Sequence, residues 1–176
     1  HSCKSYLVKA AAIGAGAAMV PDLDVLIRSS ADPLLALEYH RQFTHSLIMA
    51  PLGGCLCSLL IYPLLAKRWQ LSYRQILFWC VVGFASHGLL DACTTYGTQL
   101  LWPLTDYRFS WNIISIVDPL FTVPLLAFTV VAMLKKKKRY VVWALLWGGT
   151  YLTTGYLQHE RTEAVGYKLA HERGHD

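Results

Sequence analysis

Long apolar runs alternate with short polar links along most of this chain. The runs are Leu47–Ala66, Ile76–Ala92, Ile113–Leu134 and Val141–Leu157. Each equals or approaches the roughly 20 residues that a helix needs to span a bilayer. A fifth, Ala10–Val20, is short and rich in Ala and Gly, and reads as the visible end of a helix that begins upstream. The pattern predicts an all-α fold: an integral membrane helical bundle of four to five transmembrane helices with a truncated polar C-terminal tail. Residues 1–157 form the transmembrane domain and 158–176 the start of an outer-side polar segment.

Composition agrees with that reading. Hydrophobic residues make up 55% of the chain and charged residues 15%, against about 25% charged in an ordinary soluble domain. The chain opens with His1 rather than methionine, which suggests processing or a fragment, and no secretory signal stands out. Its five cysteines include no Cys-x-x-Cys pair, so neither a disulfide framework nor a thiolate zinc site is indicated.

The net charge of +5 changes the picture through its distribution. Lysine and arginine concentrate in "KRWQLSYR" (Lys67–Arg74) and "KKKKR" (Lys135–Arg139), both short links between apolar runs. Short basic loops stay in the cytoplasm, so these two links set the orientation and nucleic acid is not an expected partner. With them inside, "PDLD" (Pro21–Asp24), "YHRQFTHS" (Tyr39–Ser46), "SHGLLD" (Ser86–Asp91) and Asp118 all fall at the outer side.

Seven costly side chains therefore share one membrane face: Asp22, Asp24, His40, His45, His87, Asp91 and Asp118. Burying any of them unpaired in hydrocarbon is unfavourable. His87 and Asp91 stand four residues apart, on one face of a helix, where imidazole nitrogen and carboxylate oxygen can serve one metal. Asp118 precedes Pro119, a residue that frees the backbone of the preceding turn, and an acid beside such a break is a functional candidate. A His/Asp set without cysteine suits a divalent metal, zinc above all, with manganese or iron as alternatives. Seven donors exceed the four of a structural zinc site and suggest two ions. The tail motif "HERGH" (His171–His175) fits the His-Glu-x-x-His pattern, but Gly174 inside it works against the helix that pattern requires.

The segments "PDLDVL", "YHRQFTHSL", "SHGLLDACTTYGTQLLWP" and "YRFSWNIISIVDPLFT", in that order, resemble the bacterial inner-membrane proteins described as membrane-bound metal-dependent hydrolases, the YdjM-like family. The resemblance runs from about Ala10 to the end. It implies a multi-pass protein of the bacterial inner membrane, distantly similar to zinc-dependent phospholipase C and single-strand-specific nucleases, which hold zinc with His-x-x-x-Asp pairs. Only His87–Asp91 has that spacing here.

The expectation is a metal-dependent hydrolase with its site facing outward. Asp24 or Asp118 is the candidate proton acceptor, and Arg41 and Arg108 are candidate phosphate-binding groups. Membrane lipids surround the site, and a lipid or lipid-linked phosphoester is the expected substrate. The rivals are an ion or metal transporter, which would need polar groups through the full membrane thickness, and a structural membrane protein stabilised by metal.

The orientation has a direct test. A cysteine placed at Gln70 should be labelled by an impermeant thiol reagent only from the cytoplasm, and one at Thr105 only from outside. Labelling of both from one side would overturn the orientation.

Overall fold

In the computed structural model, residues 3–28, 31–32 and 34–174 are described, and all regular secondary structure among them is helical. The chain divides into two compact units, His1–Ser110 and Trp111–Asp176. Three segments are long and apolar enough to cross a membrane: Tyr6–Leu26, Ala50–Trp69 and Tyr73–Ala92. Pro119–Lys135 is a shorter apolar helix.

The first unit is built on three long helices, α1 (Cys3–Ala18), α3 (Ala50–Trp69) and α4 (Tyr73–Ala92), with the short α2 (Leu35–Tyr39) between the first two. A two-turn 3₁₀ segment at Pro21–Leu26 and a one-turn one at Phe43–His45 complete it. The central helix is α4, which packs against both α1 and α3. Its start is encoded locally: Ser72 Oγ accepts from the Gln75 N–H and Gln75 Oε1 accepts from the Ser72 N–H, a reciprocal cap. One turn earlier, Gln70 takes a left-handed φ of 51° that ends α3, so the basic link is a tight helical hairpin. Lys9 Nζ of α1 donates to the Trp69 carbonyl at 2.8 Å, placing a cation against the orphan carbonyls at the end of α3.

Lipid-facing helices gain no hydrophobic drive by pairing, so close approach at small residues has to hold them together. That is what α4 does. A Cβ on Gly83 would lie 2.2 Å from the Gly14 carbonyl oxygen of α1. A Cβ on Gly54 of α3 would lie 2.6 Å from Val81 Cα. Between these crossings sits the buried cluster of Ile13, Ala17, Cys57, Ile76, Trp79, Cys80 and Phe84.

In the second unit α5 (Pro119–Lys135) and α6 (Lys138–Glu172) form a hairpin whose turn is the lysine run, with Lys136 left-handed at φ 52°. Two expectations change here. The apolar run from Ile113 is not helical until Pro119, so proline starts a helix instead of breaking one. Proline suits the first helical position and keeps Asp118 extended, where the Asp118 carboxylate caps α5 by accepting from the Phe121 N–H at 3.0 Å. The second change concerns Val141–Leu157, which forms half of a helix continuing unbroken through Gln158 to Glu172. Gly148, Gly149, Thr150, Thr153 and Thr154 interrupt its apolar residues, and the helix does not join the three span-length segments.

The close crossings predict a contrast between glycines. Gly83→Val should lower the thermal unfolding midpoint of the detergent-solubilised protein, by a ΔΔG of about 1–3 kcal/mol or more. Gly16→Ala, where a Cβ meets nothing within 4 Å, should leave the midpoint unchanged or raise it.

Candidate metal centre

Four predicted residues converge in the first unit. Asp22 comes from the 3₁₀ turn after α1, His45 from the 3₁₀ turn before α3, and His87 and Asp91 from the last two turns of α4. One donor atom from each lies within 4.8 Å of all the others. His45 Nε2 is 3.1 Å from His87 Nε2 and 3.1 Å from Asp91 Oδ2. His87 Nε2 is 3.2 Å from Asp22 Oδ1 and 3.6 Å from Asp91 Oδ2, and His45 Nε2 is 3.6 Å from Asp22 Oδ1. Two ligands at zinc bond lengths of about 2.0–2.1 Å in a tetrahedron lie about 3.3 Å apart. These five separations bracket that value and the sixth, between Asp22 and Asp91, is within 4.8 Å, so the donor set is of a size to take one divalent ion.

His45 can reach this point because α4 is bare beside it. A Cβ on Gly88 would meet the His45 carbonyl oxygen at 2.2 Å, so only glycine lets the 43–45 turn lie against α4 next to His87. The Cys93–Ser110 segment secures the other side of that turn. Leu47 N–H donates to the Leu100 carbonyl at 2.9 Å, Gln99 N–H to the Arg41 carbonyl at 3.0 Å, and Ser46 Oγ to the Trp102 carbonyl at 2.6 Å.

Asp24 is placed behind His45, outside the four-residue group. Its carboxylate is buried and accepts from His40 Nδ1 at 2.8 Å, from the Arg41 N–H at 3.1 Å and from the Thr44 hydroxyl at 2.7 Å. The Thr44 oxygen then accepts from His45 Nδ1 at 2.9 Å, and that ring nitrogen lies 3.3 Å from Asp24 Oδ2. This chain of donors assigns the proton of His45 to Nδ1 and leaves the Nε2 lone pair facing the group, the arrangement a metal-ligating histidine requires. Burial by itself lowers the His45 pKa, but Asp24 at Nδ1 and Asp91 at Nε2 outweigh it and raise it, so an ion in the group would compete with a proton for Nε2.

The remaining predicted residues have identifiable partners. His40 is occupied with Asp24. Arg41 is buried, with Nε 3.0 Å from Asp91 Oδ2, Nη1 donating to Thr94 Oγ1 at 2.9 Å, and its guanidinium 4.8 Å from the centroid of the Tyr96 ring. Its backbone is left-handed at φ 59°, a conformation costing roughly 1–2 kcal/mol for a residue with a Cβ. That conformation sends its N–H to Asp24 and its carbonyl to Gln99. Arg108 donates to the backbone carbonyls of His40, Gly97 and Glu38. In the second unit Asp118 accepts from the Tyr151 hydroxyl at 3.1 and 2.9 Å as well as capping α5. Helix α6 stops at Glu172 and Gly174 is left-handed at φ 71°. His175 of the tail motif lies outside the described residues.

Sequence reasoning did not single out Thr44, Gly88 or Thr94. Thr44 adjoins His45 and could have been suspected from that. Gly88 and Thr94 carry no signal without the fold.

This arrangement of His and Asp on turns at helix ends and on a helix falls within the residues that match a known family. The profile described as "YdjM inner membrane protein" matches residues 3–162. The chain belongs to the YdjM inner membrane protein family. It is also 36% identical over 107 residues to "Inner membrane protein YbcI" of Escherichia coli (strain K12), a match covering 56% of this chain and 57% of that relative. The chain thus spans little more than half the length of that curated relative. No solved structure matches it.

Asp24 and the group in front of it should respond differently to substitution. His87→Gln or Asp91→Asn should abolish stoichiometric zinc binding by the purified protein. Asp24→Asn should keep one ion per chain but weaken its affinity by about 10–100-fold, the usual effect of losing the partner that orients a ligand. Zinc titration against a competing chelator reads both effects.

Proposed function

We propose that this chain is a membrane-embedded, metal-dependent hydrolase with its centre at the extracytoplasmic face of the bacterial inner membrane, cleaving a phosphoester of a lipid or lipid-linked substrate. The observation that carries the proposal is the convergence of His45 Nε2, His87 Nε2, Asp22 and Asp91 at ligand spacing. The Asp22 side chain is 55% exposed, leaving one side of the centre open. A structural zinc site is closed, whereas a catalytic one keeps a side for water and substrate. Zinc is the ion this nitrogen and oxygen set favours, with manganese or iron as alternatives.

Asp22, His45, His87 and Asp91 would hold a divalent ion, which would supply a more acidic bound water and an electrophile for a phosphoryl oxygen. The protein's own groups do the rest. Asp24 keeps His45 in the Nδ1–H form through Thr44. Arg41, 3.0 Å from Asp91 Oδ2, offsets the carboxylate charge beside the centre and favours an anionic substrate. The carboxylates first expected to accept the proton, Asp24 and Asp118, are committed to their own hydrogen bonds. Asp22 is the most exposed carboxylate of the group and turns only Oδ1 into it, and we assign its second oxygen the proton of the attacking water.

The transporter alternative needs polar groups across the membrane. Along α1, α3 and α4, however, the only acids or histidines are His87 and Asp91, both in the last two turns of α4. This favours a surface reaction over a pathway.

The protein in nanodiscs, loaded with zinc, should release product from phosphoester lipids. Chelation should stop turnover, zinc should restore it, and His87→Gln should lower it by more than about 100-fold, beyond the usual loss from an orienting partner. A protein that binds one zinc per chain yet hydrolyses no lipid phosphomonoester or phosphodiester would overturn the proposal.

A further inference from the structure

A cavity of about 290 Å³ opens beside the centre, between the 43–45 turn, α3 and α4. Its lining is almost wholly apolar, from Phe43 and Met49 at one end to Leu60 at the other. Thr44 is its polar edge, and the same Thr44 hydroxyl group bonds Asp24 and His45. The cavity therefore adjoins the residue that supports His45 in the proposed site.

Its dimensions point to an occupant. From Met49 to Leu60 the cavity follows eleven residues of α3, about 16 Å at 1.5 Å per residue. That is about half of the roughly 30 Å hydrocarbon thickness of a bilayer, the depth of one leaflet and so of one acyl chain. Helix α3 is a span-length apolar segment, and Leu52, Leu56 and Leu60 on the cavity wall are exposed, so lipid chains are the medium on its open side. The floor is made by Cys57 and Phe84, each 6% exposed. Phe84 lies flat there because Gly53 has no side chain; a Cβ would sit 2.4 Å from the ring.

We infer that this groove binds one acyl chain of a lipid phosphoester, holding its headgroup at the Asp22–His45–His87–Asp91 centre and selecting chains by length. The inference rests on the lipid-phosphoester reading above. Leu60 closes the far end of the groove, and Leu56 stands midway. Bulk at Leu56 shortens the usable groove, and bulk at Leu60 trims only its end.

The experiment uses nanodiscs of phosphatidylglycerol carrying a phosphatidic acid with a diazirine at the end of one palmitoyl chain. After photolysis, labelled residues are mapped by mass spectrometry. Label is expected on Cys57, which is 6% exposed and lies toward the Leu60 end of the groove, where the chain end would rest. Leu56→Trp should reduce that label by about tenfold, the cost of losing a couple of buried methylenes. Leu64→Trp, on an equally lipid-facing position (74% exposed) that does not line the groove, should not reduce it. Zinc content should be the same in all three proteins. Where turnover is measurable, Leu56→Trp and, less strongly, Leu60→Trp should shift preference to shorter chains.

Label spread along the exposed face, without enrichment at Cys57 and unaffected by Leu56→Trp, would overturn the groove even if the protein hydrolyses lipids. The expected labelling in a protein without turnover would uphold the groove as a lipid site and remove the hydrolase reading instead.

Discussion

The site depends on one buried carboxylate. Asp24 is buried, where an ionised group without partners costs several kcal/mol, and it is stable there because donors surround it. Those donors are His40, the Arg41 backbone, Thr44 and, through Thr44, His45. Satisfying Asp24 therefore folds residues 40–45 around the turn that follows α1. The left-handed backbone of Arg41 and the proton position on His45 both follow from that requirement. A single acid thus converts a flexible polar connection into a rigid support for a ligand.

The second constraint is steric. Helix α4 must pass both α1 and the 43–45 turn at contact distance, and it does so at Gly83 and Gly88. Gly83 sets the bundle, and Gly88, one residue after His87, lets His45 arrive beside it. The spacing of the two imidazoles is thereby tied to helix packing, so the geometry of the centre is inherited from the bundle. Arg41 links the two constraints, with its backbone N–H on Asp24 and its guanidinium against Asp91.

Much of this was legible from residue order. Apolar run length predicted a helical membrane protein, because a bilayer leaves few other ways to satisfy a backbone. The four-residue spacing of His87 and Asp91 placed both on one helical face, since that depends only on helix pitch. Arg41 and Arg108 were read as candidate phosphate-binding groups from their place on the outer side and their paired donors. In the structure their donors engage Thr94 and loop carbonyls, and Arg41 Nε lies against Asp91, contacts that no local pattern announces.

By itself the sequence determined the helical class, the two basic hairpin turns and the set of acids and histidines from which a centre is drawn. All of these follow from composition, periodicity and spacing within one element. Only the tertiary structure decided which members of that set meet. Asp22, His45, His87 and Asp91 come together, Asp24 and His40 stand behind them, and Asp118 caps a helix of its own unit. The reason is that a ligand set is a statement about distances between elements. Here those distances are fixed by backbone contacts at Gly83 and Gly88 and by the hydrogen bonds around Asp24, and none of these is expressed in the order of residues along the chain.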